Sequence, residues 1–568
     1  MNELLLEPLK YYDTVGKQAH EENTRQYFDD LLKKSGVDEE ENRRTVKEYN
    51  EKVEEINGLS KILSRFKFFK VMLIIAAIVG GIMAIASFVA FGEDAFKGIL
   101  LLLFGGGIIA GAIYLLKKKV NPKIKDTDSV KAERIRESEE ILQRAWNQMS
   151  PLNALFTDYD TLRLIEKTVP EFSFDDKFTK KREQHFVKEY DFFDLQDEES
   201  SMVDTLSGSF AGNPFLFGRR LVHSMGTHTY HGSLVISWVE TYRDSKGNVQ
   251  RRTRSQTLHA SVTRPKPFFN YNTFLAYGNQ AAPRLNFSRV SEHSEDLSEK
   301  ALQRKIKKGE GKLKKQAEQS MKQGGNFQEM ANSEFDVLFG ATDRDNEVEF
   351  RLMFTPLAQR NTVALIKDKN NYGDDFNFTK RERFNVIMSD HAQNWNMSTA
   401  ASNYYSYDID DSLSRFISFN TQFFKSVFFD FAPLLSIPAY AEEPCAALED
   451  IEEYSCNYTY YEHEVMANVA GYQRFVHDDS ATEAILKTEV LAKASSADKV
   501  AITAYSYATV ERIAFVFVKG GDGYYHDVPV PWIEYIPVSK TTNVEISGAV
   551  AEQSENSVRY HGMDIYCI

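Results

Sequence analysis

Imidazoles offer the first chemistry in this sequence. His223, His228 and His231 fall together in HSMGTHTYH, and neutral imidazole is a common zinc ligand. A tetrahedral site needs a further ligand, and in an extended strand His228 and His231 point to opposite faces, so polar loop or strand residues are the plainer reading. Glu462-His463-Glu464 lacks the HExxH spacing that sets two imidazoles on one helical face. Ser207-Gly208-Ser209-Phe210-Ala211-Gly212 has small residues around serine without the GxSxG order of a nucleophile elbow, and a turn or strand edge accounts for it. Gly309-Glu310-Gly311-Lys312 matches neither GxGxxG nor the GxxxxGK[ST] phosphate loop. No catalytic or cofactor-binding residue is assigned, no cofactor is expected, and the three histidines are the metal candidates.

A second kind of chemistry is electrostatic. Glu299 to Lys322 holds nine basic residues against three acidic ones, and Lys305, Lys307, Lys308, Lys312, Lys314 and Lys315 crowd its middle. Two readings stand: contact with anionic lipid headgroups, or a solvated helical insertion. Net charge over the 568 residues is −14, so a nucleic acid is not the expected main partner.

These groups must be carried by something, and the chain announces a membrane element. Val71 to Phe91 and Ile99 to Leu116 are uncharged apolar runs of 21 and 18 residues, each long enough for about 30 Å of hydrocarbon at about 1.5 Å per residue. The intervening GEDAFKG, Gly92 to Gly98, is short enough to force an antiparallel hairpin. Ala76, Gly80 and Ala84 in the first run, and Gly107 and Gly111 in the second, form small faces that let helices approach closely. They are expected to pack the hairpin on itself, the alternative being assembly between copies. Arg65, Lys67 and Lys70 precede the first span and Lys117, Lys118, Lys119, Lys123 and Lys125 follow the second, whereas Glu93 and Asp94 sit in the turn. The positive-inside rule then places both termini in the cytoplasm and the protein in the cell (inner) membrane. Cys445, Cys456 and Cys567 show no CxxC pair, which suits reduced thiols on that side.

Around the spans the patterns are helical, then extended. Asp38 to Ser64 carries Val46, Tyr49, Val53, Ile56 and Leu63 near heptad spacing, and Ser129 to Met149 presents Ile135, Leu142, Trp146 and Met149 beyond an interruption at Pro122. The seams are expected to pair, with oligomerisation as the alternative. Strand signals dominate Phe172 to Val290, with a hairpin over Gly232 to Thr263 turning at Asp244 to Asn248. Arg252 and Arg254 share one face and Arg251 takes the other, so part of it should be solvated. Glu347 to Phe354 alternates as a strand, and Thr355-Pro356 caps a helix to about Ile366. Phe423 to Tyr440 is aromatic, but Lys425, Asp430, Pro433 and Pro438 make it core rather than a third span. Past an acidic patch at Glu449 to Glu453, a helix near Ala481 to Ala494 and strands at Val500 to Ala508 and Arg512 to Val518 are expected, with Lys519 to Gly523 closing a hairpin.

The fold class is thus a membrane α-hairpin plus an α+β soluble region with a β-rich centre and a C-terminal α/β subdomain. The divisions are 1–67, an N-terminal helical segment; 68–117, the hairpin with spans 71–91 and 99–116; 118–170, juxtamembrane helices; 171–440, the β-rich domain with the insertion 299–322; and 441–568. Forty Phe and 28 Tyr against 15 Pro and 30 Gly make it globular rather than disordered.

Asp204 to Ser224 (DTLSGSFAGNPFLFGRRLVHS), Leu234 to Val262, and Ser333 to Ile366, with its acidic lead-in, arginine, hydrophobics and Thr-Pro helix start, set in this order of features, resemble the bacterial two-span membrane proteins of the domain of unknown function 3137 family. The resemblance spans roughly residues 60–440 and implies the same architecture; it implies no functional residues. The function expected is a membrane-anchored scaffold facing the cytoplasm, with the bilayer, other proteins and a second copy of the chain as partners. The alternatives are a membrane-tethered hydrolase whose groups converge only in the fold, and an oligomeric channel or envelope component. Neither span carries a polar residue except Ser87 and Tyr114, which weighs against a conduction pathway.

Overall fold

The computed structural model describes residues 3–91, 95–190, 198–243, 247–393, 397–442, 458–493, 497–547, 557–560 and 563–567. Outside them fall Glu93, Asp94, Asp244 to Lys246 of the expected hairpin turn, the acidic patch 449–453, Cys445 and Cys456. By internal contacts the chain forms a helical unit, residues 24–157 and 401–419, and a sheet unit, residues 1–23, 158–400 and 420–568.

In the helical unit, the end of α1 (Lys17–Ser35) leads to α2 (Glu39–Ala90), which runs without a break from charged sequence into the first apolar run. Asp38 Oδ1 accepts from Glu41 N at 3.0 Å and opens the helix. The return is α3 (Ala95–Leu115), one π-helical turn at Leu116–Val120, then α4 (Asn121–Asn153). Pro122 was expected to interrupt this exit. It sits instead in the first turn of α4, where its missing N–H costs nothing.

The two seams do pair. Lys52–Glu137 at 3.1 Å, Arg134–Glu55 at 3.4 Å and Arg144–Glu48 at 3.5 Å join α2 to α4. Exposed pairs of this kind contribute about 0–1 kcal/mol each, so the apolar contact dominates. The expected stripe holds in part: Val46 and Leu63 on α2 and Met149 on α4 are buried, but Ile135 and Trp146 are exposed, and Ser138, Ile141, Ala145 and Leu152 are the other buried positions of α4.

Two helices are long and apolar enough to cross a membrane, and only 11% of each apolar window is buried inside the molecule, unlike a soluble core helix. A Cβ on Gly80 would lie 2.9 Å from the Gly105 carbonyl oxygen, and one on Gly105 would lie 2.7 Å from the Gly80 oxygen and 3.0 Å from Ala84 N. Backbones therefore touch there. Gly98, Gly105 and Ala112 are the buried positions of α3, spaced by heptads as antiparallel packing requires. Gly107 and Gly111, expected to share this contact, face open space.

The sheet unit holds two antiparallel sheets. The seven-stranded one comprises β1 (Phe172–Phe174), β2 (Ser200–Phe210), β3 (Asn213–Arg243), β4 (Val249–Gly278), β5 (Asn286–Arg289), β6 (Phe376–Arg381) and β7 (Phe384–Ser389), in the order β1-β2-β3-β4-β7-β6-β5. The five-stranded one comprises β8 (Ile485–Lys493), β9 (Ala497–Lys519), β10 (Tyr525–Ser547), β11 (Ser557–Tyr560) and β12 (Met563–Cys567), in the order β11-β12-β10-β9-β8. The Ser207–Gly212 segment ends β2 in a two-residue turn, with Ala211 at φ 48° and Gly212 at φ 81°, the positive values a tight hairpin demands.

Both hairpins exceed expectation. The hairpin expected over 232–263 pairs in unbroken register from Phe215↔Tyr277 to Arg243↔Val249, a ribbon of about 100 Å at about 3.3 Å per residue. The two strands expected at 500–508 and 512–518 are the single strand β9, paired along its length with β10. The helix expected at 481–494 is instead β8, hydrogen-bonded to the edge of β9; cross-strand pairing overrides the helix-favouring Leu, Lys, Glu and Ala of that segment.

Helices cover the sheets. Basic α5 (Glu299–Lys322) packs on α6 (Ser333–Phe339). Glu347–Met353, expected as a strand, is helix α7: Asn346 Oδ1 caps Glu349 N at 3.2 Å, and Phe350 and Met353 are buried while Val348 and Leu352 are exposed. Thr355 caps α8 (Pro356–Ile366) as expected, accepting from Ala358 N. From residue 420 onward α9 (Ile409–Leu435) belongs to this core. Its Phe431 sits edge-on to Phe172 at 4.9 Å and Phe215 at 5.2 Å. Finally α10 (Tyr460–Ala470) is buried against β2, β8 and β12.

Gly105→Leu should therefore lower the stability of the helical hairpin by about 1–3 kcal/mol through overpacking, while Gly107→Leu stays within about 0.5 kcal/mol. Thermal melts of the detergent-solubilised chain, followed by far-ultraviolet circular dichroism, check this; equal destabilisation would place the wrong face at the contact.

Candidate functional site

One cleft in the sheet unit gathers polar groups. Its cavity of about 560 Å³ is lined by Glu198, Glu199, His223, Phe269, Lys487 and Tyr507, among others. Glu199 precedes β2, and the register of β3 with β4 sets His223 opposite Phe269. His223 Nδ1 meets the Glu199 carboxylate, and its Nε2 lies 3.2 Å from the Tyr507 hydroxyl on β9. Burial, then the Glu199 charge, raises the Tyr507 pKa. A carboxylate, an imidazole and a phenol in series form a path for a proton.

Among the described residues the cleft places no activated nucleophile at that path. The Ser506 hydroxyl on its wall is buried without a hydrogen-bond partner, and Lys487 turns away, its Nζ 2.6 Å from Glu464 and donating to the Ser200 carbonyl at 3.0 Å.

The structure does not bring the three histidines together. His228 stands edge-on to Tyr230 at 4.7 Å, and His231 faces a separate hollow lined by His259, Ile513, Pro529 and Pro531. Among the described residues no group of three or more His, Cys, Asp or Glu is placed to hold a metal. The pairing of His223 with Glu199 and Tyr507 had no sequence signal, because the partners lie 24 and 284 residues away.

Glu462-His463-Glu464 is a buried polar knot on α10. Glu462 accepts from Phe178 N at 2.9 Å and from Thr205 Oγ1 at 2.9 Å, His463 Nε2 lies 3.2 Å from Asp498 Oδ2, and Glu464 accepts from Met202 N at 2.7 Å. Burial pushes the Glu462 pKa up to about 7 against the two hydrogen bonds that favour its charge.

The basic helix divides its charges. Lys305 is drawn inward, 2.6 Å from Glu292 and 2.7 Å from Ser294 Oγ, whereas Lys307, Lys308, Lys312, Lys314 and Lys315 are exposed. Gly309 lies where a Cβ would meet the Val337 side chain at 2.4 Å, and Glu310 accepts from Ser333 Oγ at 2.6 Å, so Gly309 serves packing of α5 on α6, while Gly311 faces open space.

The largest departure from ordinary surface chemistry lies on the β9–β10 ribbon. Ile513, Phe515 and Phe517 alternate on one face at 61, 63 and 73% exposure, and Tyr524 and Tyr525 at its tip are 71 and 68% exposed. The opposite face packs on the β3–β4 ribbon through Val528 with Ile236 and Leu258, and Arg264 lies over the Trp532 ring at 4.8 Å. On the first ribbon Val235, Val239 and Tyr242 are exposed too.

No family model matches this chain, and no curated protein or solved structure is similar to it.

Because the folded pKa of Glu462 is raised, the folded state holds its proton more tightly than the unfolded chain does. Stability from this group is complete below the ordinary carboxylate range near 4.5 and is lost as pH rises toward about 7. Glu462→Gln should then unfold with a weaker pH dependence between those values and gain on the order of 3 kcal/mol over the parent at pH 8. Urea titrations at several pH values measure it; parallel curves for the two proteins would show that the carboxyl is not desolvated.

Proposed function

We propose that this chain is a membrane-anchored scaffold, held by the α2–α3 hairpin, that displays the apolar face of the β9–β10 ribbon to another protein. The observation that carries the reading is the alternation of Ile513, Phe515 and Phe517, exposed on a face whose reverse side is already packed. Contiguous exposed apolar patches on a folded surface mark interaction sites. Aromatic side chains supply large contact area at little entropic cost. The basic flanks Arg65, Lys67 and Lys70 and Lys117 to Lys119 favour the cytoplasmic side of the cell membrane for both termini. A second copy of the chain remains a candidate partner through the same face.

The second reading, a tethered hydrolase, rests on the Glu199–His223–Tyr507 path and its cavity. The two readings separate by variant: a scaffold depends on Phe515 and Phe517, an enzyme on His223.

Anchoring is expected to survive an alkaline carbonate wash of the membranes, and a tag after Ile568 should resist protease in intact cells and be digested once the membrane is opened. Phe515→Asp with Phe517→Asp should leave both results unchanged and remove the cross-links that native membranes form to the ribbon, read by mass spectrometry. The scaffold reading falls if those cross-links persist in the double variant, or if His223→Ala rather than the ribbon variant abolishes them.

A further inference from the structure

The exposed cations of α5 are segregated, not scattered. At about 100° per residue, Lys300, Arg304, Lys307, Lys308, Lys314, Lys315 and Lys322 share an arc of about 120°, and Lys312 extends it. Leu302, Ile306 and Leu313 are buried on the other side, where Gly309 packs on Val337. Glu318 is the one carboxylate inside the arc; Glu299 and Glu310 fall outside it. Among the described residues none of these cations has an ion-pair partner, whereas Lys305, which points out of the arc, is paired with Glu292. Repulsion among so many exposed cations on one face has a cost that an external anionic surface relieves.

We infer that this face of α5 docks on anionic phospholipid headgroups at the membrane that anchors the chain. The inference rests on the anchored reading above. The apolar side of the helix is consumed by the protein's own core, so the contact is electrostatic and does not insert, unlike that of an interfacial amphipathic helix. A flat lipid surface suits a straight row of cations on a helix of 24 residues, about 36 Å long. Tethering by the hairpin supplies a high effective concentration of that surface, while the overall negative charge repels a free polyanion arriving from solution. Lys117 to Lys119, Lys123 and Lys125 at the end of the second span select the leaflet richer in anionic lipid.

The test reconstitutes the full chain into vesicles of phosphatidylcholine alone or with phosphatidylglycerol, and labels lysines with a membrane-impermeant acylating reagent read by mass spectrometry. With phosphatidylglycerol present, labelling of Lys307, Lys308, Lys314 and Lys315 should fall several-fold relative to exposed Lys499 and recover at high salt. Each charge removed should weaken the contact about fivefold, so in Lys307→Glu with Lys314→Glu the labelling of Lys308 and Lys315 should become the same in both lipids. Equal labelling in the two lipids by stably incorporated parent protein overturns the inference and leaves the anchor standing. Protection in phosphatidylcholine on adding an RNA oligonucleotide, with none from phosphatidylglycerol, overturns it in favour of nucleic acid. A chain that alkaline carbonate strips from both vesicles overturns the anchored reading, and the inference falls with it.

Discussion

The sheet unit depends on one helix that has no outer face. Tyr461, Glu462, His463, Glu464, Val465, Met466 and Ala467 of α10 are all buried in succession, so three adjacent ionisable side chains fan out over about 200° and each must find its own partner. Glu462 meets the chain ahead of α10's sheet neighbours at Phe178 and Thr205, Glu464 meets Met202 and Lys487, and His463 meets Asp498. All of these partners except Phe178 lie on β2, β8 and β9, so these contacts join the two sheets into one core. The apolar residues around them run from Phe178, Met202 and Leu216 to Val500, Ile502 and Ile565 without a gap. Removing the partner of Glu464 or His463 would leave a buried ionisable group uncompensated, at more cost than a surface pair could return, which makes the knot a determinant of register.

From that core the two ribbons project, and neither would hold alone. An isolated two-stranded ribbon is marginal in water. Packing Val528 on Ile236 and Leu258 gives each ribbon a buried face. Gly232 lets the crossing happen, since a Cβ there would lie 2.1 Å from the Pro529 carbonyl oxygen. The tip of the second ribbon is tied down as well, Gly521 N donating to Gln256 Oε1 at 2.7 Å.

Elements specified locally were legible in the sequence, and elements specified by distant partners were not. The apolar runs, the Thr355-Pro356 cap and the pairing of β3 with β4 declare themselves through neighbours in sequence. The stretch Glu347–Met353 misled because EVEFRLMF fits a period of two as well as a period near three, and only the Asn346 cap decides. At Ile485–Lys493 the residues favour a helix and the edge of β9 imposes a strand. In the α2–α3 hairpin the packing signal for antiparallel helices is the heptad relation of Gly105 to Gly98 and Ala112, not the GxxxG at Gly107 and Gly111. Within the cleft, His223 was noticed for other histidines nearby, whereas its partners Glu199 and Tyr507 come from other elements.

The open edge of β10 shows how the exposed ribbon is kept from pairing indiscriminately. Among the described residues only Val544 to Ser547 of β10 pair with β12, so most of that edge has no strand hydrogen-bonded to it, although Gly232 crosses against it at the Pro529 carbonyl; an edge without a partner strand invites further pairing. Pro529, Pro531 and Pro537 all occupy odd positions, and alternate residues of a strand point their N–H groups to the same side. Pairing with β9 is unbroken through all three, so the missing donors belong to the open edge, where proline is tolerated and blocks a further strand. Ile513 and Phe515 stand directly across from Pro531 and Pro529. The sequence thus disarms the edge of the ribbon at the very positions beside which it leaves large apolar side chains on the face. Docking through side chains on the face, with the backbone edge blocked, is what the proposed scaffold would need.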